Sequence, residues 1–152
     1  MWDFAPQLEI PAGELFKRIC AKKEFIEGVT LLGGEPLDQY EETISLLRLC
    51  AGAGFSSVLF TGYELEEIVR KNMADVQQLA DILITGRYDE RKRTEYHQWI
   101  GSTNQKILFL SDRYKNYEIK NANYTEITIS EDGSLTVCGF PKEKGGKLPC
   151  SV

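Results

Sequence analysis

The residues best equipped for chemistry are "GGEP", positions 33–36. Gly33 and Gly34 leave peptide N–H and C=O groups with no side chain in the way, and Glu35 adds an anionic acceptor that cannot donate. Pro36 arrives with its φ already set for a following helix. This set suits an ammonium, such as the amino group of an amino acid. Phosphate is disfavoured, because the acid repels it and the stretch is neither G-x-x-x-x-G-K-[ST] nor G-x-G-x-x-G.

Other reactive residues are sparse. Cys20, Cys50, Cys138 and Cys150 are separated by 30, 88 and 12 positions. These gaps contain no C-x-x-C pair and no close metal-ligand spacing. Cys20 and Cys50 fall in helical patterns, where a buried free thiol is expected. Cys150 lies in a Gly/Lys/Pro-rich tail and is expected to be exposed. His97 is the chain's single histidine, which leaves histidine-based metal sites and Ser-His-Asp arrangements little to work with. Asp89, Glu90, Arg91, Lys92 and Arg93 alternate in sign and read as a solvated face.

The elements that must carry these residues follow from periodicity. "PAGELFKRICAKK" opens on a proline suited to a first helical turn and puts Leu15 and Ile19 on one face. "GVTLL" reads as a strand, and 37–51 as a helix with Leu37, Tyr40, Ile44, Leu47 and Ala51 in a stripe, stopped by "GAG" at 52–54. Strand "SSVLF", helices within 64–80 and strand "DILI" come next. This βαβαβ alternation implies parallel strands joined by crossovers.

The three strands end alike, in "LLGG" (31–34), "LFTG" (59–62) and "LITG" (83–86). Glycine therefore recurs at the carboxyl edge of a parallel sheet, where ligands bind in α/β folds. Each glycine can serve only its own turn, but Gly34, Gly62 and Gly86 are expected to gather at one rim. Beyond it, "RYDERKRTEYHQW" reads as a long loop or a short exposed helix. "GSTNQ" (Gly101, Ser102, Asn104 and Gln105) reads as a polar turn into strand "KILFL". In "TEITISEDGSLTVCGF", alternating Ile127 and Ile129, then Leu135 and Val137, flank Asp132-Gly133 as a β-hairpin.

At 152 residues, one domain over 1–141 with a flexible tail over 142–152 is expected. A net charge of −5 argues against a nucleic-acid platform. No apolar run approaches the roughly 20 residues that span a bilayer. "MWDFAPQLEI" has neither basic region nor apolar core, which makes a cytoplasmic protein the default.

A strand ending in "GGEP" after a helix resembles the radical S-adenosylmethionine superfamily. The ordered set "WDF", "GVTLLGGEP", "LFTGY", "LITGRYDE", "GSTNQKILFL" and "DGSLTVCGFP" resembles its glycyl-radical activases, the group of anaerobic ribonucleotide reductase activating proteins and pyruvate formate-lyase activating enzymes. The resemblance implies an α/β fold, a partial (βα) barrel of about four or five parallel strands whose first strand is missing, plus the hairpin. It implies that Gly33, Gly34, Glu35 and Pro36 line the amino group of S-adenosylmethionine, with Thr61, Gly62, Thr85 and Gly86 as further cofactor contacts. It also implies a [4Fe-4S] cluster held by a C-x-x-x-C-x-x-C loop, which is absent here, as "MWDF" is where the relatives' loop has already passed. The expected partners are a glycyl-radical enzyme, for which the 89–93 run is alternatively a docking surface, and an electron donor such as flavodoxin or ferredoxin. Two readings result: an oxidoreductase activase in full-length form whose present sequence lacks the ligands, through truncation, a wrong start codon or loss, or a non-catalytic, cluster-free α/β binding module.

Overall fold

The computed structural model describes residues 9–119 and 125–139. Helix α1 (Ala12–Cys20) is followed by β1 (Gly28–Leu31), a 3-10 turn at Pro36–Gln39, α2 (Tyr40–Gly52) and β2 (Ser56–Phe60). Short helices α3 (Leu65–Arg70) and α4 (Val76–Leu79) lead to β3 (Ile82–Thr85), and a long loop leads to β4 (Lys106–Phe109). Strands β5 (Thr125–Ile129) and β6 (Leu135–Gly139) close the described chain.

The four strands β1 to β4 form one sheet in sequence order. Strands β1, β2 and β3 are parallel, with Leu31 beside Leu59 and Phe60 beside Ile84. Residues with the parity of Leu31, Leu59 and Leu83 face the helices. Leu37, Ile44, Leu47, Ile68 and Val76 meet Leu59 and Leu83 there in the main core. Each such side chain, fully withdrawn from water, contributes about 1.5–3 kcal/mol.

Helix α2 buries two faces. Leu37, Ile44 and Leu47 turn to the sheet, whereas Leu46 and Cys50 join Ala12 and Phe55 in a second core under α1. Ala51, placed in the inward stripe by sequence, is exposed, because Cys50 takes the inward position and the next residue lies about 100° further round. Helices α1 and α2 run side by side in the same direction. The Ala12 N–H points at Glu42 Oε2 (3.4 Å) and Lys23 Nζ reaches Ala53 O (3.2 Å), the same offset of 30 positions at both ends.

Strand β4 corrects the expectation of a wholly parallel set. It is antiparallel to β3, pairing Ile84 with Ile107 and Thr85 with Lys106. A parallel return needs a crossover spanning the sheet, usually a helix. Residues 86–105 hold only one 3-10 turn, Glu90–Lys92, so the chain reverses at the rim it has just reached. Three parallel strands plus one antiparallel edge give an open sheet, not the expected four or five parallel strands.

On the other sheet face Ile82 and Ile84 of β3 are also buried, Val58 and Phe60 of β2 are half-buried and Thr30 of β1 is exposed. Trp99 from the rim loop stacks on Tyr117 with ring centres 5.6 Å apart, and Tyr117 also meets Phe109 at 5.8 Å. Beyond β4 the chain passes beneath the amino edge, where Tyr114 donates to Glu27 Oε1 at 2.9 Å.

The hairpin forms as patterned. Gly133 has φ 82 and Asp132 Oδ1 accepts the Ser134 N–H, which closes the turn. Ile127 opposes Val137 and Ile129 opposes Leu135, and all four are exposed. Trp2, Phe4 and the tail after 139, with Cys150, lie outside the described residues.

Candidate functional site

Each parallel strand ends in a loop at the same edge, and the three loops enclose one cavity of about 210 Å³. From β1 come Leu32, Gly33, Gly34 and Glu35; from β2, Phe60, Thr61 and Gly62; from β3, Gly86 and Tyr88; and from the start of β4, Gln105. The expected gathering of Gly34, Gly62 and Gly86 at one rim is what the fold produces.

Local backbone explains the glycines. Gly33 and Gly34 have φ of 96 and 52, and Gly86 has φ of 101, all in the left-handed region that side chains disfavour. At these positions glycine makes the turn, and the turn then presents bare backbone to the cavity. Gly62 acts differently: it lends its N–H to Glu35.

Glu35 is half-buried and heavily engaged. Its Oε1 accepts the Leu37 N–H at 3.0 Å and the Thr61 hydroxyl at 2.7 Å, and its Oε2 accepts the Gly62 N–H at 2.7 Å. The first bond caps the 3-10 turn begun by Pro36. The other two tie the β1 loop to the β2 loop. A carboxylate offers about four acceptor directions, so roughly one remains, on Oε2, for a ligand.

The outer side of the rim is a charged staple. Arg87 grips Glu67 through both carboxylate oxygens at 2.6 and 3.2 Å, and Glu67 also accepts the Glu64 N–H in a capping box. The Arg87 hydrogen bond, with help from that N–H, holds the Glu67 carboxyl down at about 2. The Tyr63 hydroxyl donates to Asp38 at 2.6 Å, and that bond is the main reason its acidity is suppressed.

Thr61 is buried in the cavity wall with its hydroxyl committed to Glu35. Thr85, a second threonine named with it, is fully buried, lies outside the cavity lining, and its hydroxyl has no hydrogen-bond partner. Pro36 lines a neighbouring groove between α1, α2 and the open edge of β1.

The "GSTNQ" turn is held by Gln105. Its Oε1 accepts the Gly101 and Ser102 N–H groups at 2.9 and 3.2 Å, and its Nε2 donates to Gly86 O at 3.0 Å. Sequence reasoning named Gln105 in a polar turn near the site and missed Leu32, Phe60 and Tyr88 as cavity residues. Tyr88 was hidden by the charges after it, although an aromatic two positions past a rim glycine was a usable signal.

An iron–sulfur cluster needs converging thiolates. Cys50 is fully buried between α1 and α2, where desolvation, then the neighbouring Cys20, raises its thiol pKa. Cys20 packs into the same core, and Cys138 is exposed on the hairpin. Among the described residues no three His, Cys, Asp or Glu side chains are grouped to hold a metal. The described residues therefore do not fit a cluster.

Comparison with known proteins gives the family. A family described as a 4Fe-4S single cluster domain matches residues 1–108. The chain belongs to it. Within the residues matched to the 4Fe-4S single cluster domain, Cys20 and Cys50 are the cysteines present, and both are packed between helices. The chain is also similar to the anaerobic ribonucleoside-triphosphate reductase-activating protein of Enterobacteria phage T4, at 37% identity over 94 residues. That alignment covers 59% of this chain and 58% of the relative, so the chain spans less than two thirds of the relative's length. No solved structure matches. Among the described residues no helix is long and apolar enough to cross a membrane.

Proposed function

We propose that this chain is an activase-like protein serving an anaerobic reductase or lyase, and that its rim cavity binds S-adenosylmethionine by the amino-acid end. The observation that carries the reading is the convergence of Gly33, Gly34 and Glu35 with Gly62 and Gly86 on one cavity at the carboxyl ends of parallel strands. The remaining acceptor direction of Glu35 and the exposed glycine backbone suit an ammonium. Similarity to the phage activating protein supports the role and a reductase as partner. Flavodoxin or ferredoxin is the corresponding class of electron donor.

A bound [4Fe-4S] cluster supplies the electron in radical chemistry. The described residues do not provide its thiolates, so the role assigned to them is to bind and orient the amino acid. That same observation supports a second reading, a cluster-free binding module.

Calorimetry with S-adenosylmethionine and with methionine tests the site. Binding of S-adenosylmethionine in the high micromolar range, near −5 kcal/mol, is expected, with methionine weaker; no heat from either would remove the ammonium site. Anaerobic reconstitution with iron and sulfide separates the two readings. A colourless protein that leaves the cofactor intact is expected of these 152 residues; stoichiometric iron with 5′-deoxyadenosine formed would overturn the thiol assignment.

A further inference from the structure

We propose that Tyr88 is a specificity-determining residue, an aromatic wall that selects ligands carrying a planar ring at the opposite end from their ammonium. The proposal rests on the ammonium reading of Glu35 for the ligand's orientation, and on separate observations for the ring.

The first observation is size. A cavity of about 210 Å³ accepts an amino acid, but it is smaller than the ~300–1,000 Å³ of pockets that enclose drug-sized molecules. A larger ligand anchored at Glu35 must extend along the rim. Glu35 follows β1 and Tyr88 follows β3, two strand positions away. At about 4.8 Å per strand that separation is about 10 Å. An amino acid joined through a sulfonium to a nucleoside can reach across it.

The second observation is how the Tyr88 ring is held. Tyr88 lines the cavity yet remains 56% exposed, so ring surface is available. The ring rests on the backbone of Gly101, where an added Cβ would lie 3.0 Å from Cδ2 and 3.2 Å from Cε2. Gly101 is itself fixed by Gln105, which reaches back to Gly86 O. The wall is thus seated on a braced loop, which lowers the ordering needed when a ring stacks on it. The neighbouring Arg87 is gripped by Glu67 and does not line the cavity, and of the two aromatic residues that do, Tyr88 is exposed whereas Phe60 is half-buried.

The test is calorimetry on the full chain with three probes: S-adenosylmethionine, methionine and adenosine. Loss of a base–aromatic stack is expected to weaken S-adenosylmethionine roughly tenfold in Tyr88→Ala. Tyr88→Phe should retain affinity, and methionine should bind all variants alike. Gly101→Ala, which requires the ring to give by a few tenths of an ångström, should weaken S-adenosylmethionine less than Tyr88→Ala does. Far-UV circular dichroism checks that each variant is folded. Unchanged S-adenosylmethionine affinity in Tyr88→Ala, or an equal loss for methionine, would overturn the assignment. If the wild type binds neither methionine nor S-adenosylmethionine, the ammonium site fails and adenosine decides for Tyr88. Adenosine held by the wild type and released by Tyr88→Ala supports the wall; adenosine ignored by the wild type removes it.

Discussion

Replacing Glu35 by alanine removes an acceptor from three donors at once: the Leu37 N–H, the Thr61 hydroxyl and the Gly62 N–H. Losing a helix cap typically costs about 1 kcal/mol. Hydrogen bonds to a charged acceptor contribute about 1.5–3 kcal/mol when fully shielded, and here they are only partly buried. The Thr61 hydroxyl can reorient, whereas the Gly62 N–H cannot. A total near 3 kcal/mol follows, a large share of the ~5–15 kcal/mol that stabilises a domain. At this chain length it lowers the melting temperature by about 6–12 °C. Glu35→Gln should fall between the two, since its amide oxygen can keep the Oε1 bonds while its NH₂ group confronts the Gly62 N–H. Thermal denaturation followed by circular dichroism, without ligand, is the assay. A Glu35→Ala melting temperature within a degree of the wild type would show that the carboxylate does not bridge the β1 and β2 loops.

Glu67 gives a pH prediction. Its folded pKa, about 2, lies below the ordinary 4.5. Its contribution to stability is therefore complete above the ordinary value and is lost as pH falls through the folded one. Urea midpoints measured from pH 5 to pH 2 should decline less steeply in Glu67→Gln than in the wild type; parallel curves would show that the Arg87 pair does not persist in solution. The thiols should separate by accessibility. Among the described cysteines, Cys138, exposed on the hairpin, should react with a disulfide reagent first and Cys50 only on unfolding, as mass spectrometry of partly labelled protein can show. Early labelling of Cys50 would mean that α1 lifts readily from α2.

Periodicity alone located α1, α2, β2 and the hairpin, because each has a strong apolar rhythm and a local stop. The glycine arrest at 52–54 and the Asp132-Gly133 turn depend on neighbouring residues only. For the same reason the shared strand endings were enough to place Gly34, Gly62 and Gly86 at one rim once parallel pairing was assumed. The sequence also bounded the chemistry. One histidine and four scattered cysteines limit what any fold could assemble.

Other features needed the folded chain. The direction of β4 depends on whether residues 86–105 cross the sheet or turn back, and an apolar strand pattern is the same in either direction. Thr61 and Thr85 occupy matching places in "LFTG" and "LITG", yet one hydroxyl meets Glu35 and the other is buried without a partner. The difference comes from the acid at the end of a neighbouring strand, which pairs with β2 and not β3. Composition marked Glu35 as an acceptor for a ligand, but three donors brought from the turn and from β2 have claimed most of it. Hydrogen bonds between residues 26 and 27 positions apart, such as these, are set by which strands lie side by side. Strand adjacency results from packing the whole core, so no local stretch of sequence can specify it.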